Sequence, residues 1–369
     1  MAGVLLCAIL TAGCGTAGSS SPAATVVSAT TSPLATSMTA GDGSWAVLVM
    51  GGSAADDNNF WQLFNLPAGG TRWSLVTPPA VADNGGLVLT PDTGGTSQLR
   101  VAFRPSQDLA FTPLTSTSDN GRTWNPGLLY AGIAEVPDAL AARGKSMLAL
   151  LADGTIDRSA TSGASWTALA RSRVVAASVA GRRCQVTAVT AVSLTPSGGP
   201  LVGAACAKSG GSGIFDYFDG SWQATGPVLP GRPVRVLRLT ATSAGNAALI
   251  GTGTGLSAAW SSGGTQWTVS PPVQEDGARV RASGTGPGGS VWVLLSDGRA
   301  VTVSGPGAAW RDLPDPPAGT SVLAALPGGA LDALVVAGAK LTVFRYPGPA
   351  GAWTQTQVIQ VPIQYGSSS

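Results

Sequence analysis

Arginine is the side chain in this sequence best equipped to bind a ligand, and histidine is absent. The 369 residues include 21 Lys and Arg, 19 Asp and Glu and no His, with a net charge of +2. Without His, neither a Ser-His-Asp triad nor a His-ligated metal site can form. Glu135 and Glu275 are the only glutamates, so a carboxylate pair for hydrolysis would depend mainly on Asp. Because these groups are missing, we expect no catalytic residue, no metal and no cofactor. The small net charge also leads us to expect no nucleic-acid partner.

Seven of the arginines fall into two groups along a chain in which only 11% of residues are charged. The members are Arg171, Arg173, Arg182 and Arg183, and then Arg232, Arg235 and Arg238. A guanidinium binds carboxylates and phosphates through paired hydrogen bonds. The groups could form a patch for a carboxylated sugar, a cell-wall phosphate or an acidic protein face. The alternative, which we take as the default, is solvent-facing strand and loop positions without a ligand.

A recurring tryptophan indicates which elements carry these side chains. Short Gly-rich segments end at Trp73, Trp124, Trp166, Trp222, Trp267, Trp310 and Trp353. Successive members are 51, 42, 56, 45, 43 and 43 residues apart. A four-stranded propeller blade needs about 40–50 residues. The spacing predicts an all-β fold, a seven-bladed β-propeller with four-stranded blades.

The segment that ends at Trp124 is the most complete copy of the repeat. It fits the pattern S/T-x-D-x-G-x-T-W with Thr117, Asp119, Gly121, Thr123 and Trp124. This resembles the Asp-box, or BNR repeat, of sialidase-like propellers. In such a turn the carboxylate accepts backbone N–H groups and the Trp fills the space between sheets. The copy before Trp166 has Thr161 in the Asp position. The resemblance implies a fold and a structural role for the turn, not an activity.

A sialidase-like site is nevertheless the enzymatic alternative. By resemblance it would need three arginines, a Tyr nucleophile with a Glu partner, and an Asp acid/base. The Phe/Tyr-Arg-Ile-Pro signature of sialidases is absent, and the nearest string, Phe103-Arg104-Pro105, lacks the residue between Arg and Pro. We expect a binding or scaffold protein, with a glycan-active enzyme on the central propeller face as the alternative.

The strand count leaves the first blade one strand short. Segments 45–50, 59–66 and 72–76 supply three candidate strands, whereas the run 358–365 is left over after the last blade. We expect this C-terminal run to form the innermost strand of the first blade. Residues 42–366 would then close into a ring without open sheet edges.

Residues 1–14 have the pattern of an export signal. A short apolar run leads into Leu10-Thr11-Ala12-Gly13-Cys14, which resembles the lipobox of bacterial lipoproteins. The resemblance implies that Cys14 carries a lipid and anchors the protein to the outer face of the cytoplasmic membrane. Thr11 stands where an aliphatic residue is usual, and no Lys or Arg precedes Arg72. The alternative is an ordinary signal peptide.

Residues 15–41 are rich in Ser, Thr, Ala and Pro, and we expect a disordered tether. In an exported protein Cys184 and Cys206 should form a disulfide, with two buried thiols as the alternative. The expected partner of the monomeric propeller is an envelope protein or a cell-wall glycan, and only the lipid would contact the membrane. Similar Asp-box propellers that bind without catalysis include seven-bladed photosystem-assembly factors, a likeness of architecture alone.

Overall fold

The computed structural model describes most of the chain between residues 30 and 360. The described segments are 30–40, 43–51, 60–76, 87–91, 99–103, 114–125, 137–230, 233–242, 245–253, 255–337, 340–349 and 351–360. Cys14 and the predicted export signal lie outside these residues. No helix in the described segments is long and apolar enough to cross a membrane.

The strands before residue 172 form three antiparallel groups. The first consists of β1 (Thr30–Ala40), β2 (Gly43–Gly51), β3 (Phe60–Pro67) and β4 (Ser74–Leu75). The second consists of β5 (Leu87–Pro91), β6 (Leu99–Phe103) and β7 (Leu114–Thr117), and a single bridge adds Asn125 beside Ser116. The third consists of β8 (Ala139–Arg143), β9 (Ser146–Leu150), β10 (Thr155–Ser159) and β11 (Thr167–Arg171).

Two short helices, α1 (Ser172–Ala177) and α2 (Val179–Cys184), separate the third group from the fourth. The fourth group consists of β12 (Val186–Leu194), β13 (Pro200–Cys206), β14 (Ile214–Phe218) and β15 (Ser221–Ala224). The fifth consists of β16 (Arg235–Thr242), β17 (Gly245–Gly251), β18 (Gly255–Ser261), β19 (Thr268–Val269) and β20 (Val273–Gln274). One residue pair between β13 and β16 joins these two groups into a nine-stranded sheet.

The last two groups each have four strands in chain order. The sixth consists of β21 (Val280–Thr285), β22 (Val291–Leu295), β23 (Ala300–Val303) and β24 (Arg311–Asp312). The seventh consists of β25 (Thr320–Ala325), β26 (Leu331–Ala337), β27 (Lys340–Tyr346) and β28 (Thr354–Gln360). Short 3₁₀ turns, Pro287–Gly289 and Pro327–Gly329, follow the first strand of each.

The first strand of every group lies near a common axis. Around this axis, contacts run from β1 to β5, β8, β12, β16, β21 and β25, and β25 again contacts β1. The groups are therefore arranged as the sheets of a β-propeller, with these strands innermost around the central channel that propellers have. The all-β fold predicted from the tryptophan spacing is confirmed.

Apolar side chains fill the spaces between neighbouring sheets. One cluster of buried residues joins the third, fourth and fifth groups and includes Ile156, Phe215 and Ile250. Another joins the sixth and seventh groups to the first, through Trp292, Leu323 and other side chains. Sheet-to-sheet burial of this kind is the main stabilising contribution to the fold.

The strand that completes the first group differs from the prediction. The innermost strand is β1, which pairs with β2, and the C-terminal run does not take that place. Residues 358–360 belong to β28, which pairs with β27 at the outer edge of the last sheet; residues 361–365 lie outside the described segments. Composition assigned residues 30–40 to a tether, but strand pairing uses backbone groups, and adjacent segments pair at low loop-closure cost.

Polar contacts close the seam between the last group and the first. Trp73 Nε1 donates to Asp332 Oδ2 at 3.0 Å. Arg345 Nε and Nη2 donate to the same carboxylate at 2.8 and 3.0 Å. The Gln357 side chain accepts from Trp73 N at 2.7 Å and donates to Trp73 O at 2.9 Å. Asp332 is fully buried, so the seam depends on a paired internal charge.

Candidate functional site

The strand order places the links between groups that the structure describes on one face of the propeller. A four-stranded antiparallel group ends on the face where it began. The links between groups and the loops between second and third strands therefore share what we call the connection face; the opposite side is the hairpin face. Contacts agree with this arrangement, because Ser172 N donates to Gly154 O at 2.8 Å and Lys208 N donates to Cys184 O at 3.1 Å.

Both arginine groups contribute to the connection face. Its described arginines from the predicted groups are Arg171 at the end of β11, Arg173 in α1, Arg182 and Arg183 in α2, and Arg235 and Arg238 in β16. Arg232 lies outside the described residues. The side chains of Arg173 and Arg183 are exposed, and neither forms a salt bridge with a described residue. Sequence reasoning missed two further exposed arginines on this face, Arg279 and Arg281.

The helices that carry three of these arginines were not predicted. Ser178 caps α2, since its Oγ accepts from Gly181 N at 2.9 Å. Val174 and Val179 are 49% and 61% exposed, so the insertion offers apolar surface beside its arginines. The longest tryptophan interval, 56 residues between Trp166 and Trp222, was the signal that could have revealed an insertion here.

A disulfide holds this insertion against the fourth group. Cys184, the last residue of α2, is bonded to Cys206, the last residue of β13, with 5.2 Å between the Cα atoms. The predicted pairing is therefore confirmed. Both cysteines are buried, so the bond is a structural tie rather than an accessible redox group.

The seven innermost strands have an unbalanced set of charges. Their sequences contain Arg143, Arg235, Arg238 and Arg281 but no Asp, Glu or Tyr. A sialidase-like site at the axis would need acidic residues and a tyrosine as well as arginines. The innermost strands can thus bind an anion, but they supply neither an acid/base nor a tyrosine nucleophile.

Two of these arginines link different groups. Arg143 Nη2 donates to Thr242 O at 3.1 Å, at the ends of β8 and β16 nearest the hairpin face. Nearer the connection face, Arg238 Nε donates to Ser283 Oγ of β21 at 3.2 Å. Solvent still reaches Arg238, while surrounding protein atoms lower the pKa of its guanidinium through burial.

The predicted Asp-box residues form a closed turn on the hairpin face. Gly121 N donates to Thr117 Oγ1 at 2.9 Å, and Thr123 N donates to Asp119 Oδ1 at 2.9 Å. Thr123 Oγ1 also donates to Asp119 Oδ2, at 2.5 Å. The hydrogen bonds from the Thr123 hydroxyl and backbone lower the pKa of Asp119 from 3.8 to about 2.

The copy with Thr161 has the same hydrogen-bond pattern without a carboxylate. Gly163 N donates to Ser159 Oγ at 2.9 Å, and Ser165 N donates to Thr161 Oγ1 at 2.9 Å. The Thr161 and Ser165 hydroxyls lie 2.9 Å apart. This turn can therefore form with a hydroxyl in place of the charged acceptor.

The repeat tryptophans lie between sheets or against their own turns. Three of them donate from Nε1 to the end of the preceding group: Trp124 to Val76 O at 3.0 Å, Trp310 to Ser270 Oγ at 2.9 Å and Trp353 to Pro314 O at 2.9 Å. Trp166 donates to Gly163 O within its turn at 3.0 Å. Trp222 and Trp267 pack with the cluster of the third to fifth groups. These side chains stabilise the ring rather than forming a ligand site.

The described residues contain no group of three or more His, Cys, Asp or Glu that could hold a metal ion. The arginine-bearing connection face and the adjoining innermost strands are thus the candidate site.

No protein-family model and no curated protein matches the sequence. Among solved structures, a GH74 xyloglucanase from Xanthomonas campestris gives a TM-score of 0.51 at 14% identity, covering 88% of this chain and 54% of that chain. An acylaminoacyl peptidase from Pyrococcus horikoshii also gives 0.51, at 11% identity, with 88% and 52% covered. YCF48 bound to a D1 peptide gives 0.49 at 15% identity, with 87% and 93% covered. At these identities the likeness concerns the fold alone, and together with the strand order it defines a β-propeller.

Proposed function

We propose that this chain is an exported, lipid-anchored, seven-bladed propeller that binds an envelope protein or a cell-wall glycan without chemically altering it. The observation that carries the proposal is the charge of the candidate site. The innermost strands contain arginines and no acidic residue, and the described members of both arginine groups contribute to the connection face. The arginines of the innermost strands attract anionic groups, and these strands supply none of the carboxylates that glycoside hydrolysis needs.

Exposed, unpaired arginines favour the connection face as the docking surface. Arg173, Arg183 and Arg281 are exposed and form no salt bridge with any residue that the structure describes. Val174 and Val179 add exposed apolar area in the same two helices as Arg173 and Arg183. Arginines beside exposed apolar side chains are the composition expected of a protein-binding patch, in which arginine is enriched.

The proposed export of the protein and the proposed number of blades are supported by different parts of the chain. The lipobox-like sequence at Cys14 and the oxidised pair Cys184–Cys206 agree with export to an oxidising compartment. Seven strand groups occur in succession among the described residues, which favours seven blades. No observation at the axis favours the enzymatic alternative.

Crosslinking of the full-length protein in the cells that produce it, followed by affinity capture and mass spectrometry, tests the proposal. We expect an envelope protein in near-stoichiometric yield; retention on purified cell wall without a captured protein would assign the glycan partner instead. Recovery of neither would contradict a binding role. In parallel, the purified protein should release no sugar from cell-wall glycans, and sustained turnover would exclude the non-enzymatic function.

A further inference from the structure

The direction of β1 determines the side of the propeller from which the preceding chain leaves. Thr30, at the start of β1, pairs with Gly51. Gly51 is the last residue of β2, and the loop that follows it leads to β3 on the connection face. β1 is also an innermost strand, in contact with β5 and β25 around the axis. The chain before Thr30 therefore departs from the connection face, close to the axis.

The chain between the candidate lipid site at Cys14 and β1 is short. Residues 15–29 number fifteen, so even a fully extended backbone spans at most about 50 Å. A route around the outside of the first sheet would cross four strands, about 14 Å, and then follow the length of β2, about 30 Å. The other route would thread the central channel, and connections do not thread closed loops. A lipid on Cys14 would thus hold the connection face, not the hairpin face, next to the bilayer.

The insertion places unpaired cations on this same face. Arg173, Arg183 and Lys208 are exposed and form no salt bridge with any residue that the structure describes. Lys208 lies beside the insertion, because its backbone N–H donates to Cys184 O at 3.1 Å. Charges of one sign on a docking surface favour a partner surface of the opposite sign. The partner of this surface should therefore be acidic.

We propose that the connection face is turned towards the membrane and that its partner is a membrane-embedded protein with an acidic outer surface. The inference rests on the proposed function and names the class of partner that the docking surface takes. A partner on this face occupies the space between propeller and bilayer, whereas a cell-wall glycan would meet the hairpin face. Lipid is the less favourable occupant, because Val174 and Val179 offer little apolar area compared with the apolar face of an interfacial helix.

Paramagnetic relaxation measures the orientation of the full-length lipidated protein on vesicles that contain a lipid with a gadolinium-chelate headgroup. Nitroxides are attached at Ala177→Cys on the connection face and, as the matched control, at Lys145→Cys on the hairpin face; both positions are exposed. Because the effect of gadolinium falls steeply with distance, we expect several-fold faster relaxation at position 177 than at position 145. Equal effects, or a larger effect at position 145, would overturn the inference.

Photo-crosslinking from the same two positions, in membranes of the producing cells, tests the class of partner. We expect position 177 to capture a protein that stays in the membrane after alkaline carbonate extraction, and position 145 not to capture it. Arg173→Glu with Arg183→Glu should abolish this adduct, and the control Arg122→Glu should retain it. A captured protein that carbonate releases, or an adduct with lipid alone, would overturn the inference.

The outcomes separate failure of this inference from failure of the proposed function. Capture of a soluble envelope protein, or retention on purified cell wall, would uphold a binding role and overturn the membrane-embedded partner. Mass spectrometry that shows Cys14 without lipid would remove the anchor and this inference, while a partner captured at the connection face would still support binding. Orientation towards the bilayer without any captured partner would overturn both the membrane-embedded partner and the binding role.

Discussion

Asp119 and Thr161 occupy the same position in two copies of one turn. Both accept from the backbone N–H four residues later, at 2.9 Å in each copy. The carboxylate, unlike the hydroxyl, is ionised at neutral pH and adds an acceptor for Thr123 Oγ1. The two turns therefore differ in their dependence on pH more than in their shape.

Asp119→Asn should remove a pH-dependent part of the stability. The pKa of Asp119 is lowered from 3.8 to about 2 in the folded state, so its contribution is complete above the unfolded value and is lost as the pH falls through about 2. Urea unfolding between pH 2 and pH 6 should show the wild type more stable than Asp119→Asn at the upper end, with the difference closing below 3.8. A difference independent of pH would contradict this account.

Thr161→Asp provides the converse experiment on the neighbouring copy. The Ser165 backbone N–H and hydroxyl already face position 161. We expect a gain of about 0.5–1.5 kcal/mol above pH 4 that disappears in acid, the net contribution of one typical hydrogen bond. A loss of stability at neutral pH would mean that the two turns are not equivalent.

At the scale of elements, the helical insertion is the main departure from a pure strand fold. The disulfide ties the end of α2 to the end of β13, and the Ala207 and Lys208 N–H groups donate to carbonyls next to the bond. These contacts fix the position of Arg173, Arg182 and Arg183 on the connection face. The insertion is thus held by its end rather than by its own short helices, which are too short to be stable alone.

Cys184→Ala with Cys206→Ala should lower the free energy of unfolding by about 3 kcal/mol, the value for closing a loop of this size. Hydrogen exchange at residues 172–184 should accelerate more than exchange in β16 to β28. The wild type under reducing conditions is the matched control and should behave like the double variant. Unchanged exchange in α1 and α2 would show that the disulfide does not position the insertion.

At the scale of the whole molecule, the strands that the structure describes close the ring without an exchange of strands between the first group and the last. The first group is completed by its own preceding strand, β1, and the last by β28. Side chains make the closing contacts instead, through Trp73, Asp332, Arg345 and Gln357. Because Asp332 is fully buried, this seam should be sensitive to loss of one charge.

Asp332→Ala should destabilise the protein by about 3 kcal/mol, because it leaves Arg345 without its partner and Trp73 Nε1 without an acceptor. Replacing both charges, as Asp332→Leu with Arg345→Leu, should recover most of that loss. Chemical denaturation of the two variants beside the wild type measures both effects. A double variant less stable than Asp332→Ala would show that packing, not charge, holds the seam.

Much of this architecture could be predicted from periodic features of the sequence. Tryptophan spacing predicted the β-propeller because each copy of the motif marks the end of one repeating sheet. The disulfide between Cys184 and Cys206 was predicted because exported proteins are expected in an oxidising compartment. Helices α1 and α2 were not predicted because they are too short to give a periodic pattern of apolar residues. Strand β1 was not predicted because a Ser/Thr-rich composition indicates little apolar surface to bury but does not indicate whether the backbone pairs with a neighbouring strand.

The candidate site was only partly predictable for a related reason. The arginine groups were visible as local clusters, whereas the pairing of Arg238 with Ser283 joins positions 45 residues apart in sequence. Such a contact depends on which strands become neighbours around the axis. The absence of acidic residues from the innermost strands likewise becomes meaningful only when those strands are known.

The connection face as a docking surface is the central claim, and comparative crosslinking capture in the producing cells tests it most directly. The informative variant is Arg173→Glu with Arg183→Glu, and the matched control is Arg122→Glu with Lys145→Glu, two exposed positions on the hairpin face. We predict that the first variant loses the partner captured by the wild type and that the control retains it. Retention by the first variant, or loss by the control alone, would contradict the account.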